Sequence, residues 1–330
     1  ASNDYLGLSG HRAVIEAAAA ALDRWGTGAG ASRLICGSRP IHGQLETDLA
    51  EWKRTEAALV FSSGFAANQG VLGVLGGPGV RIVSDELNHA SIIDGARLAR
   101  AEVAVYPHLD LSEAERLVRA WPGRSLVVSD SVFSMDGDVA DLDGLIELGT
   151  RTGAALVIDE AHSVWGPEPG DLRDADTGGV PLVRVGTLSK TLGALGGFVA
   201  SSRAVVDLLI NSARPFIFST GLSPADAAAA RAALGIVRSP EGDELVGRLR
   251  RHVDRLAPGH PSPIVPLVLG DEADALAATD ALAAQGLWVP AIRPPTVAPG
   301  TSRLRITFSA AHTDAQVDRL LEALGRLGLI

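Results

Sequence analysis

The segment Leu156-Val157-Ile158-Asp159-Glu160-Ala161-His162 ends an apolar run on a carboxylate and adds an imidazole three residues later. Such a run reads as a buried strand, and ligands of open α/β sheets gather at the carboxyl ends of the strands. Taken alone, the segment fits equally well an Asp159 that caps a helix and an ordinary loop histidine. A second segment, residues 185–193, places Lys190 after another apolar run, among Thr187, Ser189, Gly193, Gly196 and Gly197. Small neighbours suit a tight pocket that strips water from an amine and lowers its pKa toward Schiff-base chemistry.

An aspartate to hold a pyridinium nitrogen and a lysine to bind an aldehyde are the two groups that pyridoxal phosphate requires of a protein. Asp159 and Lys190 together point to that cofactor. Residues 61–68, Phe-Ser-Ser-Gly-Phe-Ala-Ala-Asn, turn from a strand through Gly64 into a helix expected to begin near Ala66. Amides at a helix start make an anion site for the cofactor phosphate, and Gly64 allows close approach. In residues 87–91, His89 offers a ring that could stack on the pyridine, although a lone histidine there is more often a loop residue. Residues 26–31, Gly-Thr-Gly-Ala-Gly-Ala, imitate a dinucleotide fingerprint but follow a helix rather than a strand, so they read as a turn. His42, Cys36 and the other histidines lack metal-ligand spacing, and no metal is expected.

Short apolar runs at residues 58–61, 81–83, 103–106, 126–128, 156–158, 183–185 and 198–200 read as strands buried on both faces. Amphipathic stretches at 112–121 and 142–152 suit crossover helices. The expected fold is α/β, a doubly wound, mostly parallel sheet. After residue 222 the pattern changes. Helices are expected at 224–237 and 243–256, then strands at 264–269, 287–290 and 304–308 covered by helices at 273–285 and 314–327, which together make a smaller α+β unit. Residues 1–45, with a helix at 13–25, are expected to pack beside that unit, residues 46–222 to form the large domain, and 223–330 the small C-terminal domain.

The 330-residue chain carries a net charge of −10, which argues against a nucleic-acid partner, since phosphate neutralisation needs clustered Lys and Arg. The single cysteine rules out an internal disulfide, and no apolar stretch is long enough to span a membrane. A cytoplasmic enzyme acting on small molecules is the expectation.

These motifs, in this order, resemble the α-oxoamine synthase family: residues 3–8 (Asn-Asp-Tyr-Leu-Gly-Leu), 63–68, 88–91, 132–138 (Val-Phe-Ser-Met-Asp-Gly-Asp), 159–162 and 187–190. The resemblance covers essentially the whole chain. It implies a type I pyridoxal-phosphate transferase fold with a seven-stranded sheet, a homodimer, and condensation of an amino acid with an acyl-CoA or acyl carrier protein with loss of carbon dioxide. Residues 286–297 and 300–307 are most similar to the branch of the family that takes L-alanine. By the same resemblance, Lys190 is the covalent anchor of the cofactor, Asp159 pairs with the ring nitrogen, His162 with the phenolic oxygen, and His89 stacks on the ring. Gly64, Phe65, Ser134 and Thr187 contact the cofactor, Arg305 grips the amino-acid carboxylate, and Asn3 and Thr296 lie against the substrates. Family members carry an arm with an acyl-binding arginine before the segment matching Asn3, and the present sequence is expected to lack it. Residues 165–181 and 256–263 read as shorter than usual, and Trp165 stands where small residues are common. An aminotransferase or aldolase on the same fold, or a pyridoxal-binding sensor, would share most of these residues.

Overall fold

Alternating side chains along seven strands send apolar groups to both faces of one sheet. The strands are β1 (Ala57–Phe61), β2 (Val80–Asp85), β3 (Glu102–Tyr106), β4 (Arg124–Asp130), β5 (Ala155–Asp159), β6 (Leu182–Thr187) and β7 (Gly197–Ser201), in the order β1-β7-β6-β5-β4-β2-β3. All seven coincide with the expected runs, each within three residues at either end. β7 pairs antiparallel with β1 and β6, and the remaining pairs are parallel. The computed structural model describes residues 1–164 and 178–330, so Trp165 and most of the segment read as shortened fall outside the described residues.

The alternation decides which way each functional residue points. On β5, Leu156 and Ile158 join the core beneath the helices Leu111–Arg119 and Leu142–Thr152. Val157 faces the opposite way, into the core shared with the helices Gly64–Leu75 and Ala90–Leu98. Period two then turns Asp159 toward those same two helices. β4 repeats the pattern, with Leu126 and Val128 on that face and Asp130 in register beside Asp159.

A third core joins the two ends of the chain. Tyr5, Leu6, Leu8 and Val14 pack with Leu304, Ile306, Phe308 and Leu324, and the helix Arg12–Trp25 lies on the helix Pro224–Val237. The helix Pro40–Trp52 continues unbroken through residue 45 and adds Leu45 and Leu49 to this core. The small sheet has the order β8 (Ile264–Gly270), β10 (Ser302–Thr307), β9 (Ala291–Ile292), all antiparallel. Residues 287–290, expected as a strand, do not form one. Gly286 takes φ +74° and the Leu287 amide bonds back to Leu282 O at 3.0 Å, ending the helix Glu272–Ala283. Pro290 has no N–H to give to a ladder, so pairing starts only at Ala291.

Candidate active site

Two residues past β5, a turn brings His162 back toward the sheet edge, and the turn after β6 brings Lys190 to meet it. Lys190 Nζ lies 2.9 Å from His162 Nε2, and Tyr5 Oη lies 2.5 Å from His162 Nδ1. His162 is buried, and burial together with the nearby Lys190 and Arg305 charges holds it well below the usual histidine pKa. A neutral imidazole has one N–H, so the Tyr5 hydroxyl and the Lys190 amine must play opposite donor and acceptor roles toward it. Burial also lowers the Lys190 amine, against the opposing pull of Asp159 and Asp130, with Arg305 adding to the lowering. The amine is thereby moved toward the neutral form that attacks an aldehyde or takes a proton.

Asp159 is held on both oxygens. Asn68 Nδ2 donates to Oδ2 at 2.6 Å and the Ala161 amide to Oδ1 at 2.9 Å. Asn68 also donates to Ser91 Oγ at 2.9 Å, and Ser91 Oγ lies 2.8 Å from His89 Nδ1. His89 caps the helix Ala90–Leu98, its own amide donating to Asp130 Oδ2 at 2.8 Å. Burial lowers the His89 pKa, Asp159 partly opposing it. Asp130 is buried beside Asp159, and burial followed by that second carboxylate pushes its pKa well up.

The helix Gly64–Leu75 starts two residues earlier than expected, because Ser63 Oγ accepts the Ala66 amide at 3.1 Å and caps it. The first amides of a helix have no partner within the helix, so the Gly64 and Phe65 end carries partial positive charge. A Cβ at Gly64 would rest 3.4 Å from Thr187 Cβ, filling the cradle between the helix start and the end of β6. The Thr187 hydroxyl bonds Gly196 O at 3.0 Å and lies 2.7 Å from Ser189 Oγ, bracing that edge. Beneath it, a Cβ at Gly197 would come within 2.4 Å of the Gly64 amide nitrogen. We expect Gly197→Ala to push the helix start away, destabilising the fold by about 1–3 kcal/mol and weakening cofactor uptake. Thermal unfolding and the visible absorption of the loaded protein check both effects.

A guanidinium completes the site. Arg305 on β10 is buried. Its Nε donates to Ser134 O at 2.5 Å, its Nη1 to Thr307 Oγ1 at 3.0 Å and its Nη2 to Asn3 Oδ1 at 3.2 Å. Asn3 Oδ1 lies 3.3 Å from the Tyr5 hydroxyl, so Arg305, Asn3, Tyr5, His162 and Lys190 form one hydrogen-bonded chain. Thr296 is exposed in the turn between β9 and β10, and among the described residues it forms no side-chain hydrogen bond to this cluster. Tyr5, Asn68, Ser91 and Asp130 were not singled out from sequence. Asn68 had a visible signal, a polar residue on the buried face of a mostly apolar helix.

This set of groups fits pyridoxal phosphate: a desolvated amine, a fixed carboxylate facing the same side of the sheet, and an open helix-start cradle. Among the described residues no cluster suits a metal ion, and no helix is long and apolar enough to cross a membrane.

The family model for aminotransferase class I and II matches residues 1–324. An 8-amino-7-oxononanoate synthase from Anaeromyxobacter dehalogenans is 50% identical over 98% of this chain and 84% of its own length. One from Geobacter sulfurreducens is 46% identical over 99% of this chain and 88% of its own. Among solved structures, a serine palmitoyltransferase from S. paucimobilis with a bound PLP–myriocin aldimine superposes with a TM-score of 0.92 at 30% identity, covering 100% of this chain and 87% of that one. The chain therefore belongs to the aminotransferase class I and II family and, within it, to the α-oxoamine synthases, enzymes of the type I pyridoxal-phosphate fold.

Proposed function

We propose that this chain is an 8-amino-7-oxononanoate synthase, joining L-alanine to pimeloyl-CoA or a pimeloyl carrier protein in biotin biosynthesis. The α-carbon of alanine bonds to the acyl carbonyl carbon, the thiol leaves, and the alanine carboxyl departs as carbon dioxide. The observation that carries the reading is the hydrogen-bonded chain from Arg305 through Asn3, Tyr5 and His162 to Lys190. It links a group that reads a carboxylate to an amine that can take a proton.

Bound pyridoxal phosphate supplies an electron sink that draws charge from the α-carbon. Lys190 anchors the cofactor and, once released, removes the α-proton. Asp159, fixed by Asn68, would keep the ring nitrogen protonated, and His162 would bond the phenolic oxygen. His89 would cover one face of the ring, and Ser134 and Thr187 would contact the cofactor. The Gly64 and Phe65 amides would receive the phosphate. Arg305 offers its fork to the amino-acid carboxylate beside Asn3, and Thr296 lies toward the acyl substrate.

The chain acts as a homodimer in the cytoplasm. In support, Ile35 is 79% exposed and Phe218 70% exposed, next to or within neighbouring elements, the turn Arg33–Gly37 and the helix Arg214–Ile217.

The sister reactions, those of glycine C-acetyltransferase and 5-aminolevulinate synthase, use glycine. Titrating the loaded protein with L-alanine, glycine and L-serine while following visible absorption separates the readings. We expect L-alanine to saturate the shift at the lowest concentration, and a shift with glycine alone assigns the chain to a sister synthase.

A further inference from the structure

His108 follows β3, and its ring is held at both nitrogens. Nδ1 lies 2.9 Å from Asp85 Oδ1 at the end of β2, and Nε2 lies 2.6 Å from Asp138 Oδ2. Phe133 meets the ring edge-on with centroids 4.3 Å apart. Carboxylates at both ring nitrogens are matched by N–H donors only when the imidazole is protonated. Burial opposes that charge, but the hydrogen bonds and charges of Asp85 and Asp138 override it and raise His108 above its ordinary value. Beside the ring, Glu86 accepts the His108 amide at 2.8 Å and Asp85 also accepts the Leu109 amide at 2.9 Å.

Asp138 belongs to a hairpin over residues 131–140, closed by a bridge between Val132 and Val139 and by the Phe133 amide on Asp138 O at 2.9 Å. The same hairpin supplies the Ser134 carbonyl that receives Arg305 Nε, and Asp136, which pairs with Arg303. At its tip Gly137, φ +70°, presses so closely on Ile264 O that a Cβ would come within 2.1 Å. The hairpin is therefore wedged between the large sheet and the small one, with His108 anchoring its outer side.

We propose that His108 is a positioning residue: by bridging Asp85 and Asp138 it fixes the hairpin 131–140 and, through Ser134, the guanidinium of Arg305. This rests on the reading of Arg305 as the group that receives the amino-acid carboxylate. The test uses the cofactor-loaded variants His108→Gln and Asp138→Asn, with Arg305→Lys alongside. The dissociation constant of L-alanine is read from the absorption shift, together with the KM of the acyl thioester and the thermal midpoint. Both hairpin variants should weaken L-alanine by about tenfold while kcat and the acyl KM change by less than about threefold. In the unaltered protein L-alanine affinity should fall as pH rises through the raised His108 pKa and its charge is lost, and His108→Gln should remove that limb. Unchanged L-alanine affinity in both variants overturns the proposal, as does an equal loss for alanine, acyl thioester and cofactor, which marks general loosening. An unchanged constant in Arg305→Lys overturns the carboxylate reading itself. A weakened one there, with both hairpin variants unaffected, overturns only the positioning role.

Discussion

Lys190→Ala lowers turnover by at least about 10⁴-fold while the chain stays folded and still takes up some pyridoxal phosphate. Two functions end together, because the same amine anchors the cofactor and moves the α-proton. The fold should survive, since among the described residues the amine makes one hydrogen bond, to His162, and its burial favours the neutral form over the charged one. Thiol release from the acyl substrate measures the loss, and the loaded protein should lack the absorption band that depends on a covalent bond to Lys190. Undiminished turnover would remove Lys190 from the chemistry.

Asp159→Asn lowers kcat by about 10²–10³-fold, a size typical of removing one preorganised electrostatic partner. The change is nearly isosteric, so the loss is one of charge. The carboxylate now accepts from Asn68 on one oxygen and from Ala161 on the other, and an amide has only one acceptor to offer them. One donor would be left facing another, which adds a modest fall in stability through an unsatisfied buried group. The kcat loss should persist at saturating L-alanine, because it concerns charge on the ring nitrogen rather than carboxylate binding. A kcat within about threefold of the unaltered protein would contradict the role given to Asp159.

Much of this arrangement is legible in sequence because its parts are local. The apolar runs before Asp159 and Lys190 mark strands, period two gives the face, and the turn at Gly64 marks a helix start. What links these parts is not local. The contact between Tyr5 and His162 spans 157 residues and that between Arg305 and Asn3 spans 302, so no spacing rule could place them together. Asp130 reads as one more strand end until the in-register pairing of β4 and β5 sets it beside Asp159. Residues 287–290 were misread because a short apolar run cannot by itself separate a strand from a helix end, and Gly286 decided the matter. Thr296, suggested by likeness alone, lies on an exposed turn and shares no hydrogen bond with the cluster among the described residues.

The most direct test is to incubate the cofactor-loaded protein with L-alanine and pimeloyl-CoA and follow product mass, free thiol and carbon dioxide together. The account predicts 8-amino-7-oxononanoate, with thiol and carbon dioxide released in equal amounts and all three abolished by Lys190→Ala. Thiol release without carbon dioxide, or a keto acid formed from alanine without any acyl transfer, would contradict it.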